Sequence, residues 1–287
     1  MKKTPTYPTY ETVAVLGAGS FGMTIAKLLA TNVKTVFLYS RSQKTVEKIN
    51  TTHHLKGIEL EQNIVGTSDL EEIANRCTLI FPVVPSKGFR NIMRQMSPFL
   101  KPYHLLIHGT KGLDSSYFTT DKVFSGRLNV HTISEVIQQE TSVVRIGCLS
   151  GPNLSSEILK GQPAATVIAS PFKEVILAGK NVLKGKRFQV FSTNDIIGAE
   201  LAGALKNTIA IGAGMFALPM ASAGPWMLWA TIGFIFVWFM TWLSASLLAK
   251  VNITLIAQPD NNIELTSSFD SLVTQVLGTK WAMINNG

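Results

Sequence analysis

The chain is poor in cysteine and in charge, and it lacks a secretory leader pattern. Cys77 and Cys148 are the two cysteines in 287 residues, and each lies next to an apolar run. We therefore expect two buried free thiols in a reducing compartment rather than a disulfide. Charged residues make up 15%, below the roughly 25% of globular proteins. After Lys2 and Lys3 the sequence is polar and contains proline, which predicts that there is no signal peptide.

The sequence also lacks the patterns of nucleic-acid and metal binding. No dense run of lysine and arginine is interleaved with aromatic residues, which argues against nucleic acid as a partner. His53 and His54 have no carboxylate or cysteine at a metal-ligand spacing, so we predict a solvated loop and no metal. The net charge of +8 comes entirely from the first 206 residues. That placement suits an anionic ligand such as a nucleotide or a sugar phosphate.

Alternating apolar and helical stretches predict an α/β fold. Thr12–Leu16 and Thr35–Tyr39 have the pattern of buried strands, and the helical composition of Phe21–Ala30 between them completes a βαβ unit. Further strand candidates are Leu79–Val84, Leu105–His108, Val144–Leu149, Ala165–Ala169 and Phe188–Ser192. This alternation is typical of an open, mostly parallel sheet, and we assign a Rossmann-like dinucleotide-binding domain to residues 1–193.

The turn after the first predicted strand is a candidate phosphate-binding loop. Gly17-Ala18-Gly19-Ser20-Phe21-Gly22 is a complete G-x-G-x-x-G that follows a strand and opens a helix. In such loops the first glycine permits the tight turn, the second lets the backbone approach a pyrophosphate, and the third lets the helix pack on the strand. The amides at the helix start then face the phosphates. A glycine-rich turn without a ligand is the alternative.

The residues after the second predicted strand bear on the choice of cofactor. An acidic residue there would bind the adenine ribose of NAD, but the chain has Tyr39-Ser40-Arg41. A guanidinium at Arg41 suits a ribose 2′-phosphate, which favours NADP(H) and still allows NAD(H). The alternative is a surface arginine beside a loop.

Five short motifs follow one another along the chain. They are GAGSFGMTIA (Gly17–Ala26), VVPS (Val83–Ser86), TKGL (Thr110–Leu113), SGPNLSSEI (Ser150–Ile158) and GALKNTIAIGAG (Gly203–Gly214). Together they resemble the bacterial NAD(P)-dependent glycerol-3-phosphate dehydrogenases over residues 12 to about 213. The resemblance implies hydride transfer between a nicotinamide and C2 of dihydroxyacetone phosphate. The product in the biosynthetic direction is sn-glycerol 3-phosphate, a phospholipid precursor.

The resemblance also implies roles for individual residues. The cofactor contacts, beyond the three loop glycines, are Ser20, Phe21, Arg41, Lys111 and Ser155. The substrate contacts are Lys111, Gly151 and Asn153, although position 153 is often threonine in the family. Lys206 falls on the catalytic lysine, whose ammonium can deliver the proton that a ketone oxygen needs as its carbon accepts hydride. Without the resemblance, Lys206 would be interpreted as a lysine that extends from a helix towards solvent.

The resemblance to the enzyme ends shortly after Lys206. We predict a helix at Asn194–Gly212, capped by Asn194 or Asp195, and assign residues 194–213 to the first helix of the substrate domain. In the family, the rest of that domain supplies an aspartate within a GLGDL-like stretch and an Arg-Asn pair that grips the substrate phosphate. Neither follows here, and no arginine occurs after Arg187. We therefore expect an incomplete substrate domain and an impaired enzyme.

A long stretch without charge comes next. Trp226–Ala249 contains no charged residue and is long enough as a helix to span a hydrocarbon core of about 30 Å. We predict a membrane-type helix there, with a buried core helix as the alternative. Ile211–Trp226, this run and Ser268–Gly287 resemble the start of an aromatic amino-acid permease, so residues 214–287 form an unrelated permease-like segment. Ile211–Met215 fits both families, and a join at this pentapeptide is the simplest account of a fusion.

Two classes of function therefore compete. One is a cytoplasmic NAD(P)-dependent oxidoreductase that takes a small phosphate-bearing substrate and forms a homodimer. The other is a membrane-associated or non-functional chimera, with a cofactor-binding head and membrane contact through residues 226–249. We favour the first as the ancestry of the chain.

Overall fold

A computed structural model of the chain describes residues 10–114, 130–222, 235–236 and 238–239. The described residues belong to two compact units. The first unit holds residues 10–114 and 130–205, and the second holds the described residues from 206 onward. The predicted domain limits 1–193, 194–213 and 214–287 stay predictions.

Strands and helices alternate through the first unit. The strands are β1 (Thr12–Leu16), β2 (Thr35–Tyr39), β3 (His54–Leu55), β4 (Ile58–Glu59), β5 (Ile64–Thr67), β6 (Leu79–Pro82), β7 (Leu105–His108), β8 (Arg145–Ser150), β9 (Ala164–Ala169) and β10 (Phe188–Thr193). The helices are α1 (Ser20–Ala30), α2 (Gln43–Thr52), α3 (Leu70–Arg76), α4 (Ser86–Met96), α5 (Ile133–Glu140), α6 (Ser155–Leu159), α7 (Lys173–Leu183) and α8 (Ile196–Ser222).

Eight strands form one sheet in the order β10-β9-β8-β7-β6-β1-β2-β5, and β3 pairs with β4 in a separate hairpin. The six strands from β8 to β5 all run parallel, whereas β9 is antiparallel to β8 and parallel to β10. Strand order proceeds outward from β1 in both directions, so the turn after β1 lies at a topological switch point, where ligands bind in such sheets. The predicted Rossmann-like, mostly parallel sheet is confirmed.

Apolar side chains on both faces of the sheet build two cores. One core lies under α1 and α7, and the other lies under α3, α4 and α5. Within β1, Val13 and Val15 enter the first core, whereas Ala14 and Leu16 enter the second. A strand that is covered on both faces has no exposed side, which explains why β1 is apolar at every position after its first.

Strand β5 forms one edge of the sheet, and the sequence did not predict it. The strand has four residues, exposes Val65 and contains Gly66, so it lacks a clear apolar pattern. Asn50 of α2 closes this edge, because its side-chain amide donates to the Gly66 carbonyl at 3.0 Å and accepts from the Gly66 amide at 2.7 Å. A Cβ at residue 66 would lie 3.0 Å from that of Ile49, so glycine lets α2 approach closely enough for this contact.

A buried ion cluster fixes the segment that follows β7. Arg90 of α4 forms an ion pair with Asp114 at 2.7 Å and another with Glu140 of α5. The side chains of Arg90 and Asp114 are only 5% and 1% exposed, so each charge depends on its partner for the stabilisation that water would otherwise supply. The backbone of Asp114 also exchanges two hydrogen bonds of 2.9 Å with His131. This cluster therefore fixes the position of Asp114, three residues after Lys111.

Helix α8 begins within the first unit. The Asp195 carboxylate accepts a hydrogen bond from the Gly198 amide at 2.8 Å, which confirms the predicted cap. A Cβ at residue 198 would lie 2.1 Å from the other carboxylate oxygen, so glycine leaves room for the cap. At the next residue, the Ala199 carbonyl accepts from the Ser150 hydroxyl at 2.9 Å. These contacts tie the first turn of α8 to the end of β8.

The described part of the second unit is small. It comprises the end of α8 from Lys206 to Ser222 and four helical residues, Ile235, Phe236, Trp238 and Phe239, whose exposure is 44–63%. Within the described ranges, no helix is both long and apolar enough to cross a membrane. The remainder of the predicted membrane helix Trp226–Ala249, and the permease-like residues 250–287, lie outside the described residues.

Candidate functional site

The turn between β1 and α1 is built on two backbone contacts that only glycine allows. Gly17 has φ of +121°, and a Cβ there would lie 2.5 Å from the Val83 carbonyl oxygen. A Cβ on Gly22 would lie 1.8 Å from the Gly17 carbonyl oxygen. The first turn of α1 therefore packs directly on the end of β1, as the motif predicts.

Gly19 and the start of α1 face open space. A Cβ at Gly19 would meet no atom within 4 Å. Gly19 is also the N-cap of α1, and no side chain caps this helix end. The first amides of a helix have no partner within the helix, and they form an anion site when no side chain occupies them. The loop is thus shaped to receive a phosphate group at Gly19 and Ser20.

A cleft of about 330 Å³ lies on one side of this loop. It brings together, from three separate strand ends, residues that the sequence analysis named: Gly19, Ser20, Phe21, Gly22, Lys111, Asn153 and Ser155. The Lys111 ammonium lies 5.4 Å from the centroid of the Phe21 ring, which is within cation–π distance. Gly151 does not line the cleft, although its carbonyl accepts from the Asn153 amide at 2.8 Å.

Asn153 lines this cleft, is buried, and has one side-chain polar atom without a hydrogen-bond partner. Its side-chain nitrogen donates to the Thr166 hydroxyl at 2.9 Å. Its side-chain oxygen is buried and has no hydrogen-bond partner. A buried acceptor without a donor costs free energy unless a ligand or a water satisfies it. The arrangement therefore suits a ligand that donates a hydrogen bond, such as one carrying a hydroxyl group.

A second cleft of about 550 Å³ lies on the other side of the loop. Gly17, Gly19 and the Val83–Pro85 segment line it, together with Tyr39, Ser40 and Arg41 after β2. Two further basic residues also line it, and the sequence analysis missed both: Lys56 at the β3–β4 turn and Lys87 in α4. Neither belongs to a recognisable motif, because only the fold brings them beside Arg41. Three cations around one cleft favour an anionic ligand.

The two clefts meet at Gly19, where the open helix start lies. An extended ligand with a central pyrophosphate fits this arrangement, with one half in each cleft. A parallel sheet that carries such a loop at its switch point defines the Rossmann-type dinucleotide-binding proteins.

Within that class, the chain belongs to the NAD-dependent glycerol-3-phosphate dehydrogenase family, because the family model of that enzyme's N-terminus matches residues 12–176. The tryptophan/tyrosine permease family model matches residues 197–286. Both resemblances seen in the sequence are thereby confirmed, and the permease match begins earlier than the join expected at Ile211–Met215.

The chain is similar to known glycerol-3-phosphate dehydrogenases (NAD(P)+). It is 37% identical over 209 residues to that of Acinetobacter baylyi, covering 71% of this chain and 55% of the relative. It is 35% identical over 207 residues to that of an Acinetobacter baumannii strain, covering 71% and 54%. The chain thus spans about half the length of the relatives that it matches.

Solved structures show the same fold. The glycerol-3-phosphate dehydrogenase of Coxiella burnetii superposes with a TM-score of 0.65 at 22% identity, covering 97% of this chain and 87% of that one. At this identity the likeness supports the Rossmann-like fold and nothing finer.

Lys206, the predicted catalytic residue, lies on α8 and is the first described residue of the second unit. Its role therefore stays a prediction. The roles predicted for the residues of the two clefts also stay predictions, although the structure brings those residues together.

A buried pair that the sequence analysis missed links β7 to α8. The His108 Nε2 atom lies 3.0 Å from the Glu200 carboxylate, and both side chains are almost fully buried. The other contacts of Glu200 are the Ser134 amide at 2.8 Å and the Ser134 hydroxyl at 2.6 Å. His108 directly precedes the Gly109-Thr110-Lys111 segment of the first cleft. A histidine within an apolar strand gives no sign of its partner, because Glu200 is far away in the sequence.

In this pair, each group stabilises the charged form of the other. Burial acts to lower the pKa of His108, but the neighbouring Cys148 sulfur and the Glu200 carboxylate outweigh it and raise the pKa to about 10. Burial acts to raise the pKa of Glu200, but His108 and Ser134 outweigh it and lower that pKa. Both pKa shifts therefore favour the charged form of the group concerned, as expected for a buried ion pair.

We predict that the stability of the first unit falls as pH rises from about 6.5 to about 10. The folded pKa of His108 lies above the unfolded value of about 6.5, so its contribution is complete below that value and is lost through the folded pKa near 10. Because one proton is involved, the free energy of unfolding changes by at most about 1.4 kcal/mol per pH unit. Chemical denaturation across this range should show a smaller slope for His108→Asn. The exposed-residue control His54→Asn should keep the full slope, and equal slopes for His108→Asn and the unsubstituted chain would contradict the assignment.

Proposed function

We propose that the first unit binds NADP(H), and also accepts NAD(H), across the two clefts. The observation that carries this proposal is the open helix start at Gly19, which has free amides and lies where the clefts meet. The pyrophosphate would contact the amides of Gly19 and Ser20. Family membership and the printed cofactor of the relatives support the same ligand.

The charges around the clefts indicate the orientation in which the proposed cofactor binds. Arg41, Lys56 and Lys87 line the second cleft, which therefore takes the adenine half, with Arg41 at the ribose 2′-phosphate. The nicotinamide half, which supplies or accepts a hydride when it is bound, then belongs in the first cleft beside Phe21 and Lys111. Ser155 lines the same cleft and is proposed as a further cofactor contact.

We propose that the reaction is the interconversion of dihydroxyacetone phosphate and sn-glycerol 3-phosphate. The relatives carry the name of this enzyme, and the first cleft has the groups that the substrate needs. Lys111 supplies a positive charge, and the unused side-chain oxygen of Asn153 can accept from a substrate hydroxyl. Gly151 shapes the loop that carries Asn153, and Lys206 is proposed as the proton donor to the ketone oxygen. The enzyme part acts in the cytoplasm.

The chain as it stands is expected to turn over slowly. No arginine follows Arg187 in these 287 residues, so no guanidinium after α8 can grip the substrate phosphate as a bidentate partner. Proton transfer by lysine does not replace this contact, because it does not hold the substrate in a reactive position.

A second candidate is a membrane-associated chimera with a dinucleotide-binding head. The permease match at residues 197–286 favours it. So does the exposure of Ile235, Phe236 and Trp238, which are 59%, 60% and 63% exposed. Large exposed apolar side chains are typical of a surface that contacts a membrane or another protein.

Cofactor choice is tested at Arg41. In the full chain, Arg41→Asp should weaken NADPH binding by about 1.5–3 kcal/mol, because a charged hydrogen bond to the 2′-phosphate is lost. That is roughly a tenfold to hundredfold rise in Kd, whereas Kd for NADH should change little. Fluorescence titration of both cofactors measures this, and Gly19→Trp is the control that should abolish both. Equal losses of NADPH and NADH binding would make Arg41 a structural residue only.

Activity is tested by NADPH oxidation with dihydroxyacetone phosphate. We expect the full chain to show at most a trace rate, and Lys206→Ala to leave that rate unchanged, because the substrate phosphate lacks its anchor. The lost arginine contact alone costs roughly 2–5 kcal/mol, as truncation of a buried charged pair does. A robust rate that Lys206→Ala abolishes would contradict this expectation and show that another part of the chain replaces the anchor.

Membrane association is tested by fractionation of cells that express the full chain. The uncharged Trp226–Ala249 run should carry the chain into the membrane fraction or into aggregates. The matched variant Phe236→Lys with Trp238→Lys places two charges in the run and should shift the chain towards the soluble fraction. Recovery of the unsubstituted chain as a soluble monomer without detergent would rule out the second candidate.

A further inference from the structure

The β3–β4 hairpin turns through two residues with positive φ angles. Lys56 has φ of +53° and Gly57 has φ of +78°, and these two residues form the whole loop between the paired strands. Such a two-residue turn suits the twist of a hairpin, but asparagine, aspartate or glycine is preferred at its first position. The Cβ of a lysine makes this left-handed conformation unfavourable. A strained residue at a turn is a reason to ask what its side chain does.

The side chain of Lys56 lines the second cleft, where the charged groups are all cations. Arg41 and Lys87 are the other charged residues among the residues that line the cleft, and no carboxylate is among them. Within the described ranges, none of these three cations takes part in an ion pair. Cations that share a cleft repel one another unless an anion lies between them, so the cleft favours a ligand with several negative charges.

The order of the strands separates the three cations along the cleft. Strands β6, β1, β2 and β5 are neighbours in that order. Lys87 follows β6, the open start of α1 follows β1, and Arg41 follows β2. Lys56 lies in the hairpin that joins α2 to β5, beyond β2. Because neighbouring strands lie about 4.8 Å apart, Lys87 and Arg41 lie on opposite sides of the glycine loop, and Lys56 lies on the same side as Arg41.

We propose that Lys56 is a specificity-determining residue that binds the ribose 2′-phosphate together with Arg41, whereas Lys87 binds the pyrophosphate. This assignment rests on the proposed function, because it names partners for the two phosphate groups of NADP(H). A lysine ammonium on its flexible stem can reach a phosphate oxygen without the fixed bidentate geometry of arginine. The 2′-phosphate occurs only in NADP(H), so Lys56 discriminates between the cofactors. The pyrophosphate is common to both, so Lys87 strengthens the binding of both.

The variant Lys56→Asn separates the charge of this residue from the backbone of its turn. Asparagine adopts positive φ more readily than lysine does, so the variant should unfold at no lower denaturant concentration than the unsubstituted chain. Its Kd for NADPH should nevertheless rise roughly tenfold, because one charged hydrogen bond is lost. Its Kd for NADH should stay unchanged. Lys56→Arg keeps the charge and should keep the affinity for NADPH. Fluorescence titration of the full chain in detergent measures all of these constants.

The variant Lys87→Gln tests the other half of the assignment. It should raise the Kd for NADPH and the Kd for NADH by the same factor, because both cofactors carry the pyrophosphate. Lys101→Gln is the matched control. Lys101 is also exposed, but it precedes β7 and so lies at the end of the sheet away from the cleft. This control should leave both constants unchanged.

Three results would overturn the assignment. They are an unchanged Kd for NADPH in Lys56→Asn, equal losses of NADPH and NADH binding in that variant, and a loss confined to NADPH in Lys87→Gln. Failure of the unsubstituted chain to bind either cofactor is a different result. It would contradict the proposed function itself, and the assignment with it.

Discussion

The backbone contact between Gly17 and Gly22 is the constraint on which the rest of the site depends. A single methyl group at residue 22 would lie 1.8 Å from the Gly17 carbonyl oxygen, so α1 can reach the end of β1 only without one. That approach points the free start of α1 at the space above the sheet. It also places Gly19 where the two clefts meet. A pyrophosphate fits there, because the first amides of α1 can donate to it.

Two buried ionic groups fix the segment after β7 from opposite ends. His108, at the end of the strand, pairs with Glu200, and Asp114, six residues later, pairs with Arg90. Lys111 and Thr110 lie between these anchors, and the Thr110 hydroxyl donates to the Val84 carbonyl at 2.7 Å. Buried ion pairs contribute little net stability, but the loss of one partner is costly. They therefore anchor both ends of the segment that carries Thr110 and Lys111 along the first cleft.

The sequence predicted those parts of the fold whose signal is local. Continuous apolar runs identified β1, β2 and β7 with their observed limits, and the glycine spacing identified the loop. Strand β5 was missed because its pairing depends on β2 and on Asn50 rather than on its own pattern. Lys56, Lys87 and the His108–Glu200 pair were missed for the same reason, since only the folded chain brings them to their partners. Predicted roles for Lys206 and Gly151 depend on the family resemblance alone.

The first turns of α8 are held by residues that precede the helix in the sequence. Asp195, Ser150 and Ser134 supply the partners of its first turns, and all three lie in the first unit. The helix can therefore nucleate whatever sequence continues it, because nucleation is the costly step and propagation adds one bond per residue. Changes of sequence beyond these turns therefore leave in place the contacts that start the helix.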